Sequence, residues 1–593
     1  MFYLRSTRTM SPKNLLTLIS RLLCLGCLLM LAACSNPLGS NVTPSPTPTQ
    51  SYACSSHSST PVTLLIDYST EKQTWIEAAV ASFNQQHISA CDGPITVKTQ
   101  PDGSGEGMQN ILDGSIKPDI WSPAGNVWLT LMNQQWQQKY GTNLIGTSAN
   151  ETPSLVKSPV VIAMWKPMAE ALGWPQKAIG WSDIASLSTS SQGWAAYGHP
   201  EWGAFKFGHT NPDDSNSGLD AVIAENYAAV NKTRGLTSTD VDASATREFV
   251  SNVESSVIHY GESTGTFADE MFQKGPDYLS ATVMYENLVV EANAGQLSSH
   301  LAYPVVAIYP KEGTFYSDHP FAILHASWVT PAKQAAAQAF EQFLLSPTQQ
   351  HLAEQDGFRP ASGIISAPID QAHGVDPGQP STLLQVPDAT VVNAIEASWD
   401  TQRRKVDVML IIDHSGSMND PVAGTTKIVG ARQGLAEFVN LLGADDGVGL
   451  TEFSDTQQVL SPMSATGSKR QQVLSAINGI TAEGNTLLFD TISSQYQSLE
   501  VYPSKHIKAI VVLTDGEDNV SKLSASQLIQ QITPTGNNAG NGIKIFTIAY
   551  GDAEGSGVDV TDLTKIAAAT GGQEYAGTPQ NIQQVYLDIS EFF

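Results

Sequence analysis

The sequence is poor in basic residues and in long apolar runs. Its 593 residues include 31 Lys and Arg against 57 Asp and Glu, a formal net charge of −26. Because phosphate binding requires a basic surface, such a chain is not expected to bind nucleic acid. Beyond the amino-terminal segment, no apolar run approaches the roughly 20 residues that a bilayer span requires. What remains is a globular protein with more than one domain.

Catalytic motifs are also scarce. Neither the zinc-binding run HExxH nor the phosphate loop GxxxxGK[ST] occurs. "GESTG", residues 261–265, matches the nucleophile-elbow pattern GxSxG around Ser263. The following "TFADEMFQKG" does not predict the strand-to-helix turn that an elbow requires, so we predict a binding protein and not an enzyme.

Residues 1–33 predict an export signal. Four basic residues between positions 5 and 21 precede an apolar run that ends in small residues at positions 32 and 33. The ending, "LAAC", resembles the bacterial lipobox, which implies that Cys34 becomes the lipid-anchored first residue of an extracytoplasmic protein at the cell membrane. A plain secretory signal followed by a chance cysteine is the alternative.

Residues 34–60 predict a tether. "SNPLGSNVTPSPTPTQS" is rich in Pro, Ser and Thr and has no apolar periodicity, so it cannot form a core. Cys24 and Cys27 lie in the export signal, which leaves Cys54 and Cys91 as the free cysteines. An oxidising compartment favours a disulfide between them, although their spacing does not establish one.

Residues 61–387 alternate short apolar strands with amphipathic helices. The strand pattern "VTLLIDYST" precedes the helix pattern "EKQTWIEAAVASFNQQH". "ITVKTQPDGSGEGMQNILDGS" and "PDIWSPAGNVWLTLMNQQW" repeat the arrangement. Repeated strand-loop-helix units predict an α/β fold with parallel strands, whose ligands lie at the strands' carboxyl ends near helix amino termini.

An ordered set of segments in this region resembles the bacterial extracellular solute-binding proteins, particularly the oxyanion and iron receptors. They are "GSGEGMQNILDGSIKPDIWSPA", "LVKSPVVIAMWKPMAEALGWPQKAIGWSDIASL", "FGHTNPDDSNSGLDAVIAENYAA", "ATVMYENLVVEANAG" and "FEQFLLSPTQQHLAEQDGFRP". The resemblance implies a bilobal fold of the type II periplasmic-binding-protein class. It also implies chain crossings between the lobes near Ser158 and Tyr309, with a solute pocket between the lobes.

The loops that would face this pocket offer hydroxyl, amide and backbone N–H groups and no cationic side chains. Such donors at helix amino termini can hold an oxyanion, and they suit a sugar or another polar molecule equally well. The candidate solute-binding residues are Ser69, Thr70, Ser104, Gly105, Ser122, Ser215, Ser217, Tyr285 and Asn287. For each residue taken singly, helix capping or turn formation is an equal alternative.

Residues 388–404 predict a connecting helix, and residues 405–593 predict a second α/β domain. Its strand patterns are "VDVMLIID", "GVGLTEFSD", "IKAIVVLTDG" and "IKIFTIAYG". Continuous apolar strands of this kind are typical of a parallel sheet that is covered on both faces.

Polar residues follow two of these strands, and another opens a helix. Asp413, Ser415 and Ser417 in DxSxS spacing, together with Thr486 and Asp515, resemble the metal-ion-dependent adhesion site of von Willebrand factor type A domains. The resemblance implies a Rossmann-like, mostly parallel sheet and an Mg²⁺ ion, or Mn²⁺, on oxygen ligands. It also implies a protein partner that supplies a carboxylate to the ion. Helix caps and turn residues without a metal are the alternative.

These features together predict a lipid-anchored binding protein of the cell envelope. It would capture a small solute between two lobes and dock a protein partner through its metal site, with a membrane transporter as a candidate partner. The alternative is a surface adhesion or assembly scaffold whose bilobal domain binds no small solute.

Overall fold

The computed structural model describes residues 60–90, 93–297, 300–422, 424–504, 506–533, 542–551, 560–590 and 592. The predicted signal segment, the lipidated Cys34 and the Cys54–Cys91 disulfide lie outside these residues and stay predictions. Within the described part of the chain, every helix is too short or too polar to cross a bilayer. Strands and helices are numbered along the chain.

Lobe 1 is built on a five-stranded sheet in the order β11-β4-β1-β3-β2. Strands β1, β3 and β4 are parallel, and the two short edge strands are antiparallel to them. The strands are β1 (Val62–Ser69), β2 (Ser89–Ala90), β3 (Gly93–Asp102), β4 (Ile120–Ser122) and β11 (Ala322–Ile323). The helices are α1 (Gln73–Gln85), α2 (Ser104–Asp113), α3 (Asn126–Tyr140), α11 (Pro331–Leu344) and α12 (Pro347–Gln355).

The lobe 1 core follows from the apolar spacing of α1. Trp75, Ala79 and Phe83 are four residues apart and are buried on one face of this helix. Phe83 packs edge-on against Phe340 of α11, with 5.0 Å between the ring centroids. Helices therefore cover the sheet, and the carboxyl ends of its parallel strands remain available to carry polar groups.

Lobe 2 is built on a seven-stranded mixed sheet with the path β10-β5-β8-β6-β7, in which β9 and β12 also pair with β5. Its strands are β5 (Val156–Trp165), β6 (Phe207–Thr210), β7 (Val257–Gly261), β8 (Ala281–Tyr285), β9 (Val305–Ile308), β10 (Tyr316–Ser317) and β12 (Arg359–Pro360). Its helices are α4 (Lys166–Ala171), α5 (Trp181–Ser188), α6 (Asn216–Val230), α7 (Ser238–Asp242), α8 (Ser244–Glu254), α9 (Thr264–Lys274) and α10 (Glu286–Asn293).

The chain crosses between the lobes at three places. The first crossing, expected near Ser158, falls at the start of β5. The second lies between β10 and β11, so the position near Tyr309 was wrong, because the chain first adds β10 to the lobe 2 sheet beside β5. A third crossing precedes β12, which returns the chain to lobe 2.

The carboxyl-terminal domain has a six-stranded sheet in the order β17-β16-β13-β18-β19-β20, parallel except for β17. Its strands are β13 (Val406–Asp413), β16 (Gly447–Phe453), β17 (Gln457–Ala465), β18 (Ile507–Thr514), β19 (Lys544–Tyr550) and β20 (Glu574–Gly577), with a small hairpin of β14 (Pro421–Val422) and β15 (Thr425–Thr426). Its helices are α14 (Lys427–Leu441), α15 (Thr466–Gly479), α16 (Leu488–Glu500), α17 (Ala525–Ile532), α18 (Val560–Ala569) and α19 (Ile582–Ser590).

Helix α13 (Ala389–Gln402) leads from lobe 2 into β13, with Val391, Ile395 and Trp399 buried on one side. Lobe 2 contacts the carboxyl-terminal domain at the amino edge of its sheet. Phe592 packs edge-on against His259 of lobe 2 with 4.7 Å between ring centroids.

Beside this contact, Arg403 and Asp446 form an ion pair of 2.6 Å, and Asp446 immediately precedes β16. A cavity of about 320 Å³ lies at the same edge, with Glu262 and Asp446 among its lining residues. Val406, the first residue of β13, lines this cavity. A strand rises roughly 3.3 Å per residue, so the carboxyl end of β13 lies roughly 23 Å from Val406.

Candidate functional site

The carboxyl edge of the six-stranded sheet in the carboxyl-terminal domain brings the five predicted metal ligands together. We call this set, Asp413, Ser415, Ser417, Thr486 and Asp515, the metal edge. Asp413 ends β13, where one carboxylate oxygen accepts the backbone N–H of Ser415 at 2.7 Å and the other accepts the Thr514 hydroxyl at 2.6 Å. These bonds orient the carboxylate from both sides.

The remaining residues of the metal edge are linked across the sheet. The hydroxyls of Ser415 and Ser417 are 3.1 Å apart, and Ser417 donates to Asp515 at 2.8 Å. Thr486 adjoins the same loop, because its backbone N–H donates to Asn519 at 2.9 Å and its carbonyl accepts the Asn519 N–H at 3.1 Å. Three separate loops therefore converge. Two of them follow β13 and β18, neighbouring parallel strands that end at one edge, and the third leads into α16.

Burial shapes the electrostatics of this edge. Asp413 and Asp515 are buried. Burial raises the pKa of Asp413 to about 6, and the charge of Asp515 acts in the same direction, while hydrogen bonds from Thr514 and Ser415 oppose the shift. Two buried carboxylates and three hydroxyls are the donor types that Mg²⁺ and Mn²⁺ take, so the residues fit such an ion.

A buried cation that the sequence did not predict lies at the metal edge. Lys427, the first residue of α14, is buried, and its ammonium lies 2.8 Å from the second carboxylate oxygen of Asp515. Asp518, three residues after Asp515, accepts the backbone N–H groups of Leu488 and Phe489 and so caps α16. Both contacts join segments far apart in sequence, which a local pattern cannot reveal.

The predicted solute-binding residues also lie together, in a buried polar layer between the lobes that we call the lobe junction. It contains Ser69, Thr70, Ser104, Gly105, Ser122, Ser215, Ser217, Tyr285 and Asn287, together with Glu71, Lys72, Asn216, Asp220, Thr264, Ser317 and His319. Of the nine predicted residues, only Thr70 is more than marginally exposed.

A buried cation occupies this layer, contrary to the expectation of neutral donors alone. The Lys72 ammonium is fully buried; it donates to Ser69 Oγ and lies 2.9 Å from the carbonyl of Ser122. Glu71 and His319 lie 3.4 and 3.3 Å from the same ammonium. Lys72 lies two residues after Thr70, within the segment that the sequence predicts as a helix, and no sequence pattern singled it out.

On the lobe 2 side, amide and hydroxyl groups hydrogen-bond one another. Asn216 donates to the Tyr285 hydroxyl and to Ser317, both at 3.0 Å. Thr264 bonds to Ser217 at 2.9 Å and to Ser215 at 3.1 Å. The amino termini of α6, α9 and α10 contribute these residues, which agrees with helix termini forming the layer.

Backbone N–H groups of each lobe donate hydrogen bonds to the other lobe. Gly105 N–H donates to the carbonyl of Asp214 at 2.7 Å, and Gly265 N–H donates to Thr70 Oγ1 at 3.1 Å. The approach at Gly105 requires glycine, because a Cβ there would lie 2.0 Å from the carbonyl oxygen of Asp213. The described lobes are thus joined by hydrogen bonds that backbone N–H groups donate.

The charges of the lobe junction are strongly perturbed. Burial alone would raise the pKa of Glu71, but Lys72 and His319 outweigh it and lower that pKa to about 2. Burial and the charge of Lys72 lower the pKa of His319 to about 4. Burial raises the pKa of Asp220 to about 8, against a hydrogen bond from Asn216. The layer therefore holds an ionised Glu71 and, at neutral pH, a protonated Asp220.

Ser263 corrects one argument from the sequence. It lies between β7 and α9, so the strand-to-helix context judged missing is present. Its hydroxyl is buried and donates to Thr266 at 2.8 Å. A nucleophilic serine needs a general base within hydrogen-bond reach, and the only side-chain hydrogen bond described for Ser263 goes to a hydroxyl.

Two family models match the chain. Residues 64–359 match bacterial extracellular solute-binding protein, and residues 407–588 match von Willebrand factor type A domain. The chain joins an extracellular solute-binding domain to a von Willebrand A domain. Both families are typically non-enzymatic binding domains, and an extracellular solute-binding domain acts outside the cytoplasm. A solute-binding domain implies a small-molecule ligand, and a von Willebrand A domain implies protein interaction.

Curated relatives match part of the chain. Inter alpha-trypsin inhibitor, heavy chain 4, from Mus musculus is 24% identical over 327 residues, 52% of this chain and 32% of the relative. Inter-alpha-trypsin inhibitor heavy chain H4 from Sus scrofa is 26% identical over 132 residues, 21% of this chain and 14% of the relative. The chain thus spans about a third of the mouse relative's length.

Solved structures resemble each part separately. A periplasmic thiamin binding protein is 12% identical with a TM-score of 0.42, over 59% of this chain and 99% of that protein. A von Willebrand factor type A protein from Catenulispora acidiphila is 21% identical with a TM-score of 0.27, over 32% of this chain and 42% of that protein.

Proposed function

We propose that this protein is a lipid-anchored receptor of the cell envelope that captures a small polar solute at the lobe junction and docks a protein partner through a metal ion. The observation that carries the proposal is the position of the metal edge. Lobe 2 contacts the amino edge of the sheet in the carboxyl-terminal domain, and the five metal-edge residues lie at the carboxyl edge of that same sheet. A partner can therefore approach the ion while the solute-binding domain stays attached.

The metal edge supplies the chemistry for docking. Neutral hydroxyls from Ser415, Ser417 and Thr486 leave a bound Mg²⁺ or Mn²⁺ ion electron-poor, so that it attracts a carboxylate. Asp413 and Asp515 supply the charge that retains the ion. An acidic side chain of another protein then completes the coordination, and a membrane transporter is one candidate for that protein.

The lobe junction supplies the chemistry for solute binding. The Lys72 ammonium and the amino termini of α6, α9 and α10 favour an anionic or strongly polar group. The amide of Asn216 and the hydroxyl of Tyr285 add neutral hydrogen-bonding groups. An oxyanion fits this set first, and a sugar or another polar molecule fits its neutral part.

A scaffold function is the second candidate, and a specific observation favours it. The polar groups of the lobe junction hydrogen-bond one another, and the backbone N–H groups of Gly105 and Gly265 each donate a hydrogen bond to the opposite lobe. Such a layer stabilises the two-lobed domain without a solute. In that case adhesion or assembly through the metal edge is the whole function.

Metal binding is tested by titrating the full chain with Mn²⁺ and following the free ion by electron paramagnetic resonance. We expect one saturable site that Asp413→Ala removes and that Asp445→Ala, at an exposed aspartate before β16, retains. Short acidic peptides should bind with Mg²⁺ and dissociate with EDTA. Equal Mn²⁺ binding by both variants would contradict the proposal.

Solute binding is tested by tryptophan fluorescence. All 11 tryptophans precede β13, so emission reports on the solute-binding domain and the connecting helix. The full chain is titrated with oxyanions, metal ions, sugars, amino acids and short peptides, with thermal melting as a second readout. A saturable change that persists in Asp413→Ala supports the receptor; no response to any solute, with metal binding intact, supports the scaffold.

A further inference from the structure

A second cluster of metal-ligating side chains lies inside lobe 2, away from both regions described above. It consists of His209 on β6, Glu225 on α6 and Glu254 at the end of α8, and we call it the His209 cluster. All three residues are fully buried. A ring nitrogen of His209 and one carboxylate oxygen from each glutamate lie within 4.8 Å of one another.

The geometry of His209 is that of a metal ligand. Its Nδ1 lies 2.7 Å from the carbonyl oxygen of Thr210, so Nδ1 carries a proton and donates it. Its Nε2 lies 3.0 Å from Glu254 Oε1. At this distance Nε2 either donates a hydrogen bond to Glu254 from a doubly protonated imidazole or, in the neutral imidazole, offers its lone pair to an ion that the carboxylate also binds. Donation of the other ring N–H to a backbone carbonyl is the usual support of a metal-bound histidine.

Glu254 is supported in a similar way. The Tyr260 hydroxyl donates to its second carboxylate oxygen, Oε2, at 2.6 Å. That bond leaves Oε1 directed toward His209. Hydrogen bonds from neighbouring groups to ligating carboxylates fix their orientation in metal sites.

Glu225 provides the independent observation. Both of its carboxylate oxygens are buried, and neither has a hydrogen-bond partner among the described residues. A buried carboxylate without a partner is strongly unfavourable, so native proteins pair such groups or bind a metal with them. One of its oxygens belongs to the group of ligand atoms within 4.8 Å, so Glu225 is directed into the cluster.

We infer that His209, Glu225 and Glu254 bind a divalent transition-metal ion, with Zn²⁺ as the first candidate. Zn²⁺ binds imidazole nitrogen and carboxylate oxygen at about 2.0–2.2 Å, and one imidazole with two carboxylates supplies three of the four positions of its tetrahedral coordination. Imidazole separates this site from the metal edge, whose ligands are all oxygen and suit Mg²⁺ or Mn²⁺.

The ion would brace lobe 2 against the connecting helix. Trp399 of α13 lies 5.5 Å from the Tyr260 ring and 6.4 Å from the His209 ring, measured between centroids. The ion links β6, α6 and α8, which form the surface on which α13 packs. Its role is therefore structural, at the point where the chain leaves the solute-binding domain.

A proton is the competing solution. Burial raises the pKa of Glu225 well above its usual range, and the charge of Glu254 raises it further. A protonated Glu225 would avoid a buried charge without a metal. The two solutions differ in measurable metal content, so one experiment separates them.

The test uses the full chain, refolded from denaturant with and without Zn²⁺ because the cluster is buried, then desalted and assayed for metal by mass spectrometry. We expect about one zinc ion per chain in the wild type and in Asp413→Ala, and loss of the ion in Glu225→Gln. The glutamine variant keeps the shape of the side chain. Zinc should raise the melting temperature of the first two proteins only.

Wild-type protein refolded with Co²⁺ gives a readout that needs no variant. Visible absorption bands of bound Co²⁺ that disappear when Zn²⁺ displaces the cobalt support the site. Tyr260→Phe should weaken zinc binding by about 10-fold, as is typical for a group that orients a ligand. Absence of zinc and cobalt from refolded wild-type protein, or retention of zinc by Glu225→Gln, would overturn the inference and assign Glu225 a proton instead.

Discussion

The metal edge and the lobe junction satisfy their buried polar groups in different ways. At the metal edge, five oxygen-bearing residues from three loops converge on one side of a single sheet, and a lysine side chain neutralises one of the two carboxylates. At the lobe junction, groups from two sheets close on one another, and a buried lysine, glutamate and histidine share a network.

This difference has a physical cause. The metal edge lies along one sheet of one domain, so the fold of that domain alone brings its residues together. The lobe junction exists only when two lobes meet, and its hydrogen bonds therefore contribute to closure. Function at the first region depends on an added ion, and function at the second depends on exchange of internal contacts for contacts with a solute.

The largest expected effect is at Lys72. Lys72→Met removes the ammonium that faces Glu71 and the carbonyl of Ser122, and leaves a buried carboxylate without its main cation. Breaking a buried pair from one side costs about 3–5 kcal/mol in the free energy of unfolding. Urea denaturation of Lys72→Met and the wild type measures this difference in the free energy of unfolding.

Lys98→Met provides the control, because Lys98 is exposed on β3. Its free energy of unfolding should stay within about 0.5 kcal/mol of the wild type. Equal stability of the two variants would show that the junction does not depend on its buried charges, and the contrast with the metal edge would disappear.

Asp220 makes the stability of the lobe junction depend on pH. Its pKa is raised to about 8 in the folded protein, so its contribution to stability is fully present below about pH 4 and is lost as the pH rises through 8. Asp220→Asn should remove a slope of roughly 1.4 kcal/mol per pH unit between those values.

Denaturant titrations of both proteins at several pH values measure this slope. The hydrogen bond from Asn216 to residue 220 is retained by asparagine, so the variant keeps the geometry. Parallel stability curves for variant and wild type from pH 5 to 8 would contradict a protonated Asp220.

Lys427 tests the metal edge in the same manner. Lys427→Met frees the carboxylate oxygen of Asp515 that now binds the ammonium, so we expect Mn²⁺ affinity to rise about 10-fold, or roughly 1.4 kcal/mol. Metal-free stability should fall at the same time, because a buried carboxylate loses its partner.

Calorimetric Mn²⁺ titration measures the change, and Lys469→Met, at an exposed lysine of α15, is the matched control. A lower affinity in Lys427→Met would mean that the lysine helps to build the site and does not compete with the ion.

The smallest expected effect concerns a direct bond between the lobes. Thr70→Val removes the hydroxyl that accepts the Gly265 N–H, with a loss of about 1 kcal/mol in the free energy of unfolding. Thr63→Val, at an exposed position of β1, should have little effect. Small-angle scattering of the two variants then tests whether loss of this bond opens the lobes. Identical profiles would show that the other contacts between the lobes are sufficient to keep them closed.

The sequence predicted much of the fold because its signals are local. Trp75, Ala79 and Phe83 recur at helical spacing and form the buried face of α1. The DxSxS spacing at Asp413 follows a continuous apolar strand, so its position at a sheet edge was predictable. The crossing near Tyr309 was not, since β10 is two residues long and is defined only by its pairing with β5.

The candidate sites were predictable to different degrees for the same reason. Asp413, Ser415 and Ser417 form one local motif, Asp515 matches the family pattern at a strand end, and Thr486 matches it before a helix. Lys72 and Lys427 carry no local signal of burial, because segments far away in sequence enclose them: the Ser122 carbonyl and His319 contact Lys72, and Asp515 contacts Lys427.

The sequence by itself determined that this protein is an acidic chain of two α/β parts, since apolar periodicity and strand-end motifs are encoded by neighbouring residues. Only the tertiary structure decided which charges are buried, that the lobes meet through Gly105 and Gly265, and that His209, Glu225 and Glu254 face one another. These depend on contacts between segments that the chain brings together only on folding, where burial changes the free energy of every polar group.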